Sequence, residues 1–196
     1  MEIADYVRKA IDDWARGELE PAFLHALVAV DGTAAKTLPG VASQRNRFVT
    51  LLDQHLWLIE PMLALGINLE TTKFSWIRLK NRESRFSEVV YEVFRCNLAH
   101  GSPMPGGSGL TVRFSHDARG ATLGPDSIEL PDTVLFAMLA VAVFAPVNSE
   151  QRIGSPYFLS HAAREFVVDE WWGREADVRS YFESALAGLP RVTMNF

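Results

Sequence analysis

The chain has 196 residues, of which 48% are hydrophobic and 22% charged, and a formal net charge of -5. That is enough chain for one well-packed core; the composition excludes a disordered or fibrous protein, and the acidic balance excludes a surface coated in basic side chains. The single cysteine, Cys96, excludes an intramolecular disulfide framework and fits a reducing compartment.

The first residues, Met-Glu-Ile-Ala-Asp, lack the basic start and apolar run of a secretory signal, so the chain reads as cytoplasmic. Ile3, Tyr6, Val7, Ala10, Ile11 and Trp14 recur at helical spacing up to Gly17, which predicts a helix over about residues 2 to 16. Pro21 opens a second helix, apolar nearly all round from Ala22 to Leu38, as a central bundle helix would be. His25 lies within it and reads as a core histidine with one hydrogen bond. Ser43 is a candidate N-cap for a third helix that carries Phe48, Leu51, Leu52, His55, Leu56, Leu58 and Ile59 to Pro61.

Residues 71 to 95 hold six basic side chains (Lys73, Arg78, Lys80, Arg82, Arg85, Arg95) against three acidic ones (Glu83, Glu88, Glu92), a local balance of +3 in an acidic chain. Such a segment either attracts phosphate or forms a solvated helix face. Phe86, Val89, Val90, Val93, Phe94 and Leu98 then mark a buried helical stripe, interrupted by Arg95, Asn97 and His100. Gly101 and Pro103 supply the stop, making His100 the final helical residue.

Residues 102 to 109 read as a loop, and its glycines do not open a helix, so it is no phosphate cradle. Leu110, Val112 and Phe114 alternate with polar residues, and a partner strand within Ala121 to Leu130 predicts a small β-hairpin insertion over about residues 108 to 130. Val134 to Val147 is too short for a membrane span and contains Pro146, so it reads as a buried helix. Ser160 to Gly188 reads as one or two further helices, with Trp171 and Trp172 in the core and Gly173 as a break. The expectation is a mainly α-helical single domain over residues 1–196, with C-terminal helices over about 131 to 190.

Arg95 and His100 form the one constellation that carries chemistry. Arginine keeps its charge and offers a planar fork to phosphate oxygens, while histidine moves a proton near neutrality. The negative end of the helix dipole favours a protonated His100, which suits a general acid or a phosphate contact better than a general base. Asn97 is placed to bond a substrate or hold the imidazole. No cysteine cluster, His-Glu-x-x-His or phosphate-loop motif is present, so neither a metal nor a cofactor is expected.

The run Val93-Phe94-Arg95-Cys96-Asn97-Leu98-Ala99-His100-Gly101 resembles the signature helix of the HEPN superfamily, in which an Arg is followed a few residues later by a His. The resemblance implies a helical bundle that dimerises through the motif helix. It also implies metal-independent endoribonuclease chemistry by attack of the ribose 2′-OH, with Arg95 orienting the scissile phosphate, His100 moving a proton and Asn97 assisting. RNA or a nucleotide would be the ligand, and an antitoxin-like protein a partner, as in toxin-antitoxin or defence systems. The alternatives are a non-catalytic HEPN-like homodimer that binds RNA, a nucleotide or a partner, and a structural module whose dimer face is the motif helix.

Overall fold

The computed structural model describes residues 2–63, 66–79, 82–100, 111–116, 122–123 and 127–194. Helix α1 (Ile3–Ala15) buries Ile3, Val7 and Ala10 against α2 (Leu19–Thr37), and Gly17 turns the chain between them with φ +78°. Helix α2 also packs on the helices that follow, which is why it is apolar on so much of its circumference: Ala22, Phe23, Ala26, Leu27 and Val30 are all buried.

Helix α3 (Gln44–Gln54) starts where the sequence places its cap, with the Ser43 hydroxyl accepting the Asn46 N–H at 3.3 Å. The third helix does not run on to Pro61 as one piece. It breaks at His55, whose imidazole Nδ1 donates to the Leu51 carbonyl at 2.8 Å, and resumes as α4 (Leu56–Leu63) with Pro61 inside. A side chain that satisfies a terminal carbonyl can end a helix that its apolar spacing would continue.

The basic segment forms strands β1 (Phe74–Leu79) and β2 (Arg82–Ser84), paired antiparallel. The solvated-helix reading is thereby corrected: Phe74, Trp76 and Ile77 are residue types that fit a pleated surface better than a helix. The motif helix follows in three parts: α5 (Phe86–Val89), a π-helical segment (Val90–Arg95) and α6 (Cys96–His100). His100 is its last described residue, and the Gly101–Pro103 stop lies outside the described residues.

Strands β3 (Thr111–Ser115), β4 (Thr122–Leu123) and β5 (Ser127–Pro131) occupy the predicted insertion, but as a sheet of order β3-β5-β4 rather than a hairpin. β3 runs parallel to β5, with Thr111 opposite Ser127, and β4 pairs antiparallel with β5. A parallel pair cannot be joined by a tight turn as a hairpin is.

Helix α7 (Asp132–Phe144) forms the centre of the core, with Leu135, Met138, Leu139 and Val141 fully buried against α2 and α4. A short 3-10 turn (Pro146–Asn148) closes it, and buried Asn148 donates from Nδ2 to Thr33 Oγ1 at 2.9 Å and to the Ala142 carbonyl at 2.8 Å. This side chain ties the end of α7 to α2.

The C-terminal third departs most from its sequence reading. Antiparallel strands β6 (Phe158–His161) and β7 (Arg164–Val167) precede α8 (Val168–Trp171) and α9 (Glu175–Leu186). Leu159 and Phe166, opposite each other in this hairpin, are its buried pair; two alternating buried positions are too few to announce strands. Trp172 is buried as expected, and Gly173 is the break: its φ is +75°, and a Cβ there would stand 2.6 Å from Ser149 Cβ. Only glycine fits that approach. Among the described residues no helix is long and apolar enough to cross a membrane.

His161 locks this hairpin to α4 and α9. Its Nε2 donates to the Pro61 carbonyl at 3.3 Å, which leaves Nδ1 to accept from the Tyr181 hydroxyl at 3.1 Å. Burial lowers its pKa from the ordinary 6.5, partly opposed by the Pro61 bond. With the folded value below the unfolded one, the neutral ring's contribution is complete at higher pH and is lost as pH falls below about 6.5. Denaturant unfolding should therefore show stability declining through that range in the wild type and declining less in His161→Asn; equal declines would contradict this assignment.

Candidate functional site

The site grows out of an irregularity in the motif helix. Across Val90–Arg95 the backbone is π-helical, and the Cys96 N–H bonds back five residues to the Tyr91 carbonyl. π-Helical turns are rare and are frequent at functional positions, and the extra residue per turn rotates whatever follows it. Here Val90, Val93 and Phe94 stay buried while Arg95, the last residue of the segment, reaches across to α2.

There its Nε and one terminal nitrogen both meet Oδ2 of Asp31, each at 2.9 Å. Gln44, the first residue of α3, donates to the same oxygen at 2.9 Å. The other carboxylate oxygen, Oδ1, is buried with no hydrogen-bond partner among the described residues. Both side chains of the pair are largely covered, at 15% exposed for Arg95 and 11% for Asp31. The guanidinium also stands 5.6 Å from the Tyr91 ring centroid. Burial works against the charge on Arg95 and the Asp31 carboxylate more than offsets it, so its pKa lies above that of an ordinary arginine.

A cavity of about 320 Å³ opens beside the pair, with Tyr6, Gln44 and Arg47 on its other sides. Arg47 and Arg95 against Asp31 leave its charged lining one positive charge in excess. Arg47 spends one donor on the Val41 carbonyl at 3.2 Å. An anion matches this arrangement at the guanidinium groups.

Of the residues singled out from sequence, Arg95 thus sits at a cavity. Asn97 and His100 belong to the backbone of α6, but their side chains lie outside the described residues. Glu92, the nearest carboxylate in sequence, does not hold Arg95; it accepts from Arg45 Nε at 2.5 Å, and Glu88 takes a second Arg45 nitrogen at 3.3 Å. Asp31, Gln44 and Arg47 were missed. The one signal in the sequence for Asp31 is that it is an acid following the apolar run Ala26–Val30 of a central helix. Cys96, next to Arg95, has its thiol pKa pushed up by burial and by Glu92, against the pull of Arg95, so it stays protonated at neutral pH and is no nucleophile. Among the described residues no group of three or more His, Cys, Asp or Glu side chains is placed to hold a metal ion.

The model of the Rv1289 family matches residues 2–196. The chain belongs to that family. The uncharacterized protein Rv1289 of Mycobacterium tuberculosis and the uncharacterized protein Mb1320 of Mycobacterium bovis are each 30% identical to it over 204 residues, spanning 96% of this chain and 91% of theirs. No solved structure matches.

Removing one partner of a covered ion pair strands the other charge. Asp31→Ala should therefore lower unfolding stability by about 2–4 kcal/mol, a little below the range for fully buried pairs. In the double variant Asp31→Ala/Arg95→Met the stranded charge is gone, so the loss should be smaller than the sum of the single losses. Additive losses in chemical denaturation would show that the two side chains are not coupled.

Proposed function

We propose that this protein is an RNA-binding homodimer of HEPN-like architecture that contacts RNA phosphate at the C-terminal end of its motif helix. The observation that carries the reading is the π-helical segment that delivers Arg95 to a cavity with excess positive charge. Arginine is the side chain suited to phosphate oxygens, and the basic hairpin β1–β2 feeds directly into the same helix. The Asp31 pair favours binding over catalysis. A guanidinium whose charge is already matched adds less to a developing transition-state charge than one held open for it.

One observation favours cleavage as a second reading. Asp31 lines the same cavity as Arg95, and its carboxylate is a base for the proton that a ribose 2′-OH has to lose to attack phosphorus.

Fluorescence anisotropy with a mixed-sequence single-stranded RNA separates these readings. Binding should weaken with salt, and Arg95→Gln should reduce affinity about tenfold, the scale of one charge-assisted hydrogen bond. An unchanged affinity in Arg95→Gln would remove Arg95 from the interface. With chelator present, intact RNA supports the binding reading. Fragments ending in 2′,3′-cyclic phosphate that disappear in both Asp31→Asn and His100→Ala would replace it with the nuclease reading.

A further inference from the structure

A second and larger cavity, about 550 Å³, lies between α4, the start of α5 and α9, and the RNA reading makes no use of it. Part of its wall is apolar, with Trp57 from α4, Leu69, Phe86 from α5 and Phe182 from α9, the last three between 2% and 8% exposed, and the rest is polar or charged. A volume of this size with an aromatic wall and a few polar groups suits a small organic molecule.

The charges around it are sorted. Arg191 is held by buried Glu60 through contacts of 2.6 and 2.8 Å, and that carboxylate also accepts the Leu69 N–H at 2.8 Å. Arg85 is held by Asp53 at 2.9 Å, and Asp53 in turn accepts from the Ser87 hydroxyl at 2.6 Å. Every cation on the lining therefore has its carboxylate, and an anionic ligand would have to displace one. The remaining two acids, Glu70 and Glu183, are exposed and have no ion-pair or hydrogen-bond partner among the described residues. The described lining carries two negative charges in excess, both at the exposed rim. The wall itself tolerates a cation: Arg179 stacks on the Trp57 ring with its guanidinium carbon 4.0 Å from the centroid.

We propose that this cavity binds a small organic cation with an apolar body, an arylalkylamine in its simplest form. The body lies against Trp57, Phe86 and Phe182, and the ammonium group lies between Glu70 and Glu183. Metal binding is not the reading, because Glu60 and Asp53 are already spent on arginines and the two remaining acids are exposed.

Tryptamine and indole-3-acetate share a ring system and carry opposite charges, so isothermal titration of the full chain with each tests the proposal. Tryptamine should bind and indole-3-acetate should bind more weakly. Glu70→Gln/Glu183→Gln, two exposed isosteric changes that leave the walls intact, should weaken tryptamine about three- to tenfold, the worth of two solvated ion pairs. Wild-type affinity in that variant, equal affinity for both probes, or no heat of binding from tryptamine would each overturn it.

Discussion

The contact between Arg95 and Asp31 joins the two parts of this molecule that matter most, the central helix of the bundle and the helix that carries the motif. Asp31 stands on α2, whose neighbours bury it on several sides, and Arg95 closes a π-helical turn whose apolar residues face the same core. In water such a pair is worth little; with both side chains mostly covered, neither charge can be left without the other. The pair therefore fixes the motif helix against α2 and at the same time places a guanidinium at a cavity wall. It also limits the chemistry, since much of the positive charge a phosphate would meet has already been answered.

The helices were legible because their apolar residues recur at the helical period over long stretches. Ile3 to Trp14, Phe23 to Val30 and the run ending at Phe144 all became buried faces, and the caps at Gly17 and Ser43 fell where residue type placed them. What could not be read was set by single polar side chains or by short alternations. The imidazole of His55 divides a helix that apolar spacing would continue. Leu159 and Phe166 are a two-residue pattern, too brief to separate a hairpin from a helix, and no local signal encodes the parallel pairing of β3 with β5.

The candidate site divides in the same way. Arg95 was visible because a charged residue interrupts an apolar stripe, and its position at a helix end follows from local sequence. Its partner was not visible, because Asp31 lies 64 residues earlier and only the packing of α2 against the motif helix brings them together. Glu92 was the obvious candidate by proximity, but helical geometry turns it toward Arg45. The same holds for the second cavity, whose walls come from α4, α5 and α9 and whose rim acids, Glu70 and Glu183, do not stand out in the sequence.

If Asp31 restrains a phosphate-binding arginine, weakening that restraint should help the ligand. Asp31→Asn keeps the size and one acceptor of the side chain while removing its charge. The account predicts that this variant binds single-stranded RNA more tightly than the wild type at low salt, since the guanidinium charge that the carboxylate had answered becomes available to phosphate. An RNA affinity that is unchanged or weaker in Asp31→Asn, with the variant folded, would mean that the Arg95–Asp31 pair serves the fold alone.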